Sequence, residues 1–258
     1  ESAIKDNKSS LGAEIIIFHT GDTHSNVEPY DDGVVLPYLD QLSATKKETK
    51  IDASGMGGLV KIATYIKENK TLNSLIIDSG DLFQGTAYYN FFKGEVEVSI
   101  FNNIGYEYIT LGNHEYDSGI NALVKVLKKA KFKIIVSNYD FGKTELKDIV
   151  KPYDITIKNG IKIGIIGLSP NVTNRREVYS DGKIFYKDPI KSAKEMVKFL
   201  KKKKGVDLVI CITHLGYKGD KKYPGDIDLK NKVSGIDLIL GGHSHTIMEK
   251  PEIYKNKN

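Results

Sequence analysis

Five short apolar runs in this chain are each followed at once by side chains able to bind a metal ion. Ile15–Phe18 leads to Asp22 and His24, Leu75–Ile77 to Asp81, and Tyr108–Leu111 to Gly112, Asn113, His114 and Glu115. Val209–Thr213 leads to His214, and Ile236–Leu240 to Gly241, Gly242, His243, Ser244 and His245. Carboxylate and imidazole without thiolate suit Zn²⁺, Mn²⁺ or Fe and speak against iron–sulfur or blue-copper chemistry. Asp22, His24, Asp81, Asn113, His214, His243 and His245 are more donors than one tetrahedral ion takes. Two ions sharing a carboxylate would use them all, as in two-metal hydrolases, where the ions sit about 3.5–4 Å apart. Gly21, Gly80, Gly112 and Gly242 stand beside most of these residues, where a glycine lets backbone approach a crowded site.

These residues can meet only if strands carry them to one place. Short apolar runs alternate with segments of helical period, which argues for βαβ units, and in α/β sheets the loops leaving the carboxyl ends of strands converge on one crevice. Leu59, Ile62, Ala63 and Ile66 mark one amphipathic helix within Gly57–Asn69, and Ile120, Leu123, Val124 and Leu127 mark another, followed by the strand Lys133–Val136. Asn159-Gly160 between Ile155–Lys158 and Ile161–Ile166 is a hairpin signal. Asp188 and Pro189 read as the N-cap and first residue of a helix burying Ile190, Ala193, Val197 and Leu200, closed by the lysines 201–204. Five of the six histidines fall after such strands; His19 lies inside the first and reads as a packed strand residue.

The bulk properties agree with an enzyme domain. The chain has 258 residues, 40% of them hydrophobic, enough for a large core, and no apolar run approaches the length of a membrane span. The net charge is +5, yet nearly all of the positive charge is lysine and no basic stripe interleaved with aromatics is present, so no nucleic-acid partner is expected. Cys211 is the only cysteine and lies in an apolar run, where it reads as a small buried hydrophobe. Residues 1–13 read as a polar tether and residues 14–258 as one catalytic domain. A polar start without an initiator Met suits a chain whose targeting segment has been removed, which implies a periplasmic, cell-surface or secreted location.

The phrases GDLFQGT, TLGNHEYDSG, THLG and GIDLILGGHSHT, with Asp22-x-His24 before them, resemble the calcineurin-like metallophosphoesterases and, within them, the 5′-nucleotidase branch. That branch hydrolyses nucleoside monophosphates, 2′,3′-cyclic nucleotides or UDP-sugars, and the likeness runs from Ile15 to about Pro251. It implies a four-layer α/β/β/α sandwich of two mixed sheets. It also implies two divalent ions, one held by Asp22, His24 and His245, the other by Asn113, His214 and His243, with Asp81 bridging. His245 stands where many members of the branch have glutamine. His114 would meet the phosphoryl group, oriented and charged by Asp117, in an in-line attack by a metal-bound hydroxide. The resemblance further implies last strands and a C-terminal substrate-binding domain, absent or separate here, that stacks the base and holds the phosphate.

Within these 258 residues no base clamp is evident. Arg175 and Arg176, the only arginines, read as a surface turn, and Tyr88–Phe92 as the opening of a helix with Phe91 or Phe92 packed inward. A nucleotide or other phosphate ester is therefore the expected substrate. The alternatives are a sulfur-compound hydrolase on the same scaffold and a catalytically silent binding protein.

Overall fold

Alternation of isoleucine, leucine and valine along the strands puts one side chain of each pair between two sheets and the next against helices, and the whole architecture follows from that. The structure is a computed structural model, and it describes residues 14–31, 35–39, 48–52, 54–175, 178, 183–220, 222–248 and 250–253. The expected tether over residues 1–13 lies outside the described residues. The strands are β1 (Ile16–Thr20), β2 (Val35–Leu39), β3 (Glu48–Asp52), β4 (Ser74–Asp78), β5 (Tyr108–Ile109), β6 (Lys133–Ile135) and β7 (Tyr139–Asp140). They continue with β8 (Val150–Lys151), β9 (Tyr153–Lys158), β10 (Ile161–Leu168), β11 (Phe185–Tyr186), β12 (Leu208–Thr213) and β13 (Leu238–Gly241).

One sheet has the order β1-β4-β5-β6-β8 and is parallel throughout. The other has the order β13-β12-β10-β9 and is mixed, because β9 and β10 form the antiparallel hairpin signalled by Asn159-Gly160. Both turn residues have positive φ, 48° and 78°, which is what a two-residue hairpin loop matching the strand twist needs. Smaller antiparallel pairs, β2 with β3 and β7 with β11, lie apart from these sheets.

Leu75 and Ile77 of β4, Tyr108 of β5 and Ile135 of β6 pack against Ile163 and Ile165 of β10 and Ile210 and Ile212 of β12. Their alternates face outward. Ile76, Ile109 and Ile134 meet Leu59, Ile66, Val98, Phe101, Leu123 and Leu127 of three helices, Leu59–Asn69, Glu95–Ile104 and Gly119–Leu127. Val209 and Cys211 meet Ala193, Val197 and Leu229 of the helices Pro189–Phe199 and Asp226–Lys232. The layers are therefore helix, sheet, sheet, helix. Removing apolar surface from water on both faces of both sheets is the dominant favourable contribution to holding them together.

Sequence and structure part at one aromatic run. The helix Ala87–Phe92 forms, but its buried residue is Tyr89, while Phe91 and Phe92 are 79% and 52% exposed. Tyr89 stacks on Phe83 with ring centroids 5.6 Å apart and its hydroxyl meets Ser118 Oγ at 2.8 Å. With that face committed, a residue two positions on, about 200° round the helix, faces solvent. The Asp188 cap is present, its Oδ1 accepting from Lys191 N at 2.7 Å.

Candidate metal centre

The carboxyl ends of β1, β4 and β5 in one sheet and of β12 and β13 in the other open on the same side of the sandwich, and the carboxylates and imidazoles expected from sequence arrive there. Ser79, just beyond β4, ties the two sheets at this point. Its Oγ donates to Leu240 O at 3.1 Å and its carbonyl accepts from His214 Nδ1 at 2.7 Å.

Among the described residues three groups of donors come together, each with its ligand atoms within 4.8 Å of one another: Asp22, His24 and His245; Asp81, His214 and His243; and His24, Asp81 and His114. Asp81 Oδ2 lies 2.9 Å from His214 Nε2 and 4.0 Å from His24 Nε2, between the first two groups. Asp22 Oδ1 is 3.4 Å from His245 Nε2 and 3.8 Å from His214 Nε2. His24 Nε2 and His245 Nε2 approach to 3.2 Å. Asp81 and His214 are buried, whereas His243 and His245 are exposed, so the cluster opens to solvent on the β13 side. His19 stands outside these groups, on the edge strand β1: the residue is partly open to solvent, but its ring, with Nε2 2.5 Å from Ser79 Oγ, is desolvated enough to lower its pKa to about 4.

The backbone bends sharply to bring these side chains in. Asp22, His24, Asp81, His243 and His245 all have positive φ, between 45° and 78°. Non-glycine residues held there cost on the order of 1–3 kcal/mol each and persist only where surrounding structure over-determines them. Here it does. Asp22 N, His24 N and Ser25 N donate to Gly80 O, Asp81 O and Leu82 O at 2.9, 3.0 and 2.9 Å, lacing the first loop to the second. Both oxygens of Asp22 accept from His243 N, at 3.0 and 2.9 Å. A side chain at Gly112 would collide with the Asp81 carboxylate, and Gly80, at φ 91°, leaves a Cβ only 2.6 Å from Gly112 N.

Glu115, within the Gly112–Glu115 motif, ties two of the loops together. Its buried carboxylate accepts from Asp81 N, Leu82 N, Phe83 N and Gly112 N at 3.0, 2.7, 3.3 and 2.6 Å. One side chain thus fixes both the loop carrying Asp81 and the loop carrying Asn113. Burial, then the charge of Asp81, raises its pKa.

Tautomers test whether a cation fits. His214 Nδ1 faces a carbonyl, which can only accept, so Nδ1 carries a proton. In the neutral ring Nε2 is then a lone pair aimed at two carboxylates. Burial opposes charge on both partners, but the hydrogen bond and mutual attraction of His214 and Asp81 outweigh it, raising one pKa and lowering the other. His214 Nε2 meets Asp81 Oδ2 as its partner, and Asn113 Oδ1 is buried with no partner. Buried polar atoms are rarely orphaned, and an amide oxygen left open, with an imidazole that a cation could take over from its carboxylate partner, is what a divalent ion would satisfy. The donor set fits.

His114 is turned differently. Its backbone N donates to Asp81 Oδ1 at 2.8 Å, and its Nδ1 lies 2.6 Å from Asp117 Oδ2, so that Nδ1 is the donor. The other oxygen of Asp117 accepts from Arg175 Nη2 at 2.6 Å. Arg175 follows the turn at Thr173 and Asn174, as the sequence reading expected, and is paired there with Asp117; Arg176 lies outside the described residues.

The family model for the calcineurin-like phosphoesterases matches residues 15–246. The chain belongs to that family. Members are hydrolases that use divalent metal ions. The family match spans all the donor-bearing loops, and several relatives sharpen it. The NAD 5′-nucleotidase of Haemophilus influenzae is 32% identical over 93% of this chain and 37% of its own length. Its solved structure superposes with a TM-score of 0.73 at 31% identity, over 90% of this chain and 38% of that one. A 5′-nucleotidase precursor from Thermus thermophilus gives a TM-score of 0.70 at 32% identity, over 90% and 42%. A snake venom 5′-nucleotidase from Gloydius brevicauda is 30% identical over 91% of this chain and 37% of its own length. The chain thus spans under two fifths of the length of these curated relatives. The likeness extends to the fold: this calcineurin-like phosphoesterase shares the four-layer architecture of those nucleotidases.

Proposed function

We propose that the chain is a dinuclear phosphoesterase of the 5′-nucleotidase type, cleaving phosphate esters of nucleotides by in-line displacement. The observation that carries this reading is the cluster of Asp22, His24, Asp81, His214, His243 and His245, with His114, paired to Asp117, donating its backbone N to Asp81. Asp22, His24 and His245 would hold one ion, Asn113, His214 and His243 the other, and Asp81 would bridge them; Mn, Zn and Fe suit the donor set. Two such ions supply Lewis-acid stabilisation of the phosphoryl oxygens and a nucleophile available at neutral pH.

His114 supplies the proton. Asp117 holds its Nδ1 as a donor, which leaves Nε2 to protonate the leaving oxygen as the P–O bond breaks. Phosphorus gains hydroxyl from one water, and the remaining proton of that water restores His114, so the sum is hydrolysis. His243 and His245, exposed at the open side, mark the direction from which the ester would enter.

Nucleotides are proposed as substrates because the relatives above are named for them. An extracytoplasmic location is proposed from the venom relative's name; no helix among the described residues is long and apolar enough to cross a membrane. The test is phosphate release from AMP, a 2′,3′-cyclic nucleotide, a UDP-sugar and an aryl phosphate, with metal-stripped protein reloaded with Mn²⁺, Zn²⁺ or Fe²⁺. Binding of two ions without hydrolysis of any of these esters would sink the assignment, and a stoichiometry of one ion would sink the dinuclear part.

A further inference from the structure

Asp117 divides its carboxylate between two partners. Oδ2 is committed to His114 Nδ1 and Oδ1 to Arg175 Nη2, each at 2.6 Å. Both charged side chains are largely covered, Asp117 at 19% exposure and Arg175 at 29%.

Arg175 comes from a part of the chain far from the ligand motifs, and its loop is anchored to the core. Val172 is buried, its N donating to Tyr139 Oη at 2.9 Å, and the Tyr139 hydroxyl donates to Pro170 O at 2.5 Å. Asn171 Oδ1 accepts from Thr173 N and Thr173 Oγ1 at 3.0 and 2.7 Å, and Arg175 N donates to Val172 O at 3.0 Å. The loop leaving β10 is thereby shaped before it reaches Arg175, and the guanidinium is delivered to Asp117 by packed backbone.

A carboxylate with one fixed oxygen cannot turn its other oxygen away from the imidazole, and a planar guanidinium fixes it more firmly than an ammonium would. We propose that Arg175 is a positioning residue for the reaction. It locks Asp117, Asp117 locks the ring of His114, and the proton on Nε2 is held where the leaving oxygen needs it. This rests on the phosphoesterase reading above. Arg175 acts through Asp117 and not on the substrate, so its contribution falls on the departure of the leaving group and not on substrate affinity.

The experiment is a leaving-group series. Turnover by the metal-loaded protein is measured for aryl phosphates of graded phenol acidity and for one alkyl phosphate, in wild type, Arg175→Ala, Arg175→Lys and His114→Ala. Expected for Arg175→Ala is a kcat roughly tenfold lower on the alkyl ester, part of the general acid's weight. The loss should be smaller on the most activated aryl ester, with KM and metal content unchanged and partial recovery in Arg175→Lys. A merely structural role would lower all substrates alike. Wild-type dependence on leaving group in Arg175→Ala, beside a steepened dependence in His114→Ala, overturns the inference alone. An unchanged dependence in His114→Ala overturns the proton-donor reading and the inference with it. If Arg175→Ala does not fold, Arg175→Lys carries the comparison, and an unaltered slope there counts against the proposal.

Discussion

Asp81 Oδ2 lies 2.9 Å from His214 Nε2, and the opposite nitrogen of that ring is already committed to the Ser79 carbonyl. The contact joins the two sheets through one side chain from each. As the proposed bridge, Asp81 should matter to both ions, and His24 to one. Elemental analysis of Asp81→Ala should show loss of both, and of His24→Ala weakening of one. A wild-type metal content in Asp81→Ala would remove the bridge from the scheme.

His114 binds Asp117 through Nδ1 while Asn113 beside it presents the orphan oxygen. His114→Ala should therefore keep its metal and lose turnover by roughly 10²–10⁴, the usual weight of a general acid. Asp117→Asn should lose less. The decisive comparison is metal content against kcat in the same preparation: if His114→Ala loses metal, the roles of the neighbours are exchanged.

Glu115 accepts four backbone N–H groups from the two central loops. Glutamine has one fewer acceptor and two donors in the same volume, so at least one buried N–H would face an amide N–H₂. Leaving one such group unsatisfied costs about 1–3 kcal/mol. Urea unfolding of Glu115→Gln should show a loss of that order, with weaker metal binding. Unchanged stability would mean that the loops are held mainly by their own backbone bonds.

Asp226 is half-buried beside Thr213, whose Oγ1 donates to it at 2.5 Å, and desolvation of its carboxylate raises its pKa to about 7. Unfolded, the group titrates near 4. An acid whose folded pKa lies above its unfolded value binds more protons when folded, so its contribution to stability is greatest below about pH 4 and declines up to about pH 7. Asn keeps the acceptor for Thr213 and removes the charge. Asp226→Asn should gain roughly 1–4 kcal/mol over wild type at pH 8 relative to pH 4, in metal-free protein, by urea unfolding. A difference that does not vary with pH would mean that the carboxylate is not destabilised by burial.

Much of the site was legible because metal ligation tolerates few residue types and places them after strands. Asp22, His24, Asp81, His214, His243 and His245 were identified by what preceded them, and the structure brings them together. The hairpin at Asn159-Gly160 and the cap at Asp188 were legible for a similar reason, since each depends on neighbours in the chain. Phe91 and Phe92 were misplaced because either helix face could be apolar, and the contact of Tyr89 with Phe83 selected one.

The sequence by itself determined the chemistry available: imidazoles, carboxylates and an amide on the loops that end five strands, and glycines where backbone must pass close. Only the tertiary structure decided how that chemistry is divided. His114 and Asn113 are adjacent in the chain, yet the first is bound to Asp117, itself held by Arg175, while the oxygen of the second is buried without a partner. Glu115 and Arg175 carry no local signature of their tasks, because a carboxylate that gathers backbone N–H groups, or a guanidinium that steadies a carboxylate, is defined by partners distant in sequence. Spacing along a strand fixes which residues reach the crevice. The direction each donor faces there depends on hydrogen bonds between loops that meet only after both sheets have packed.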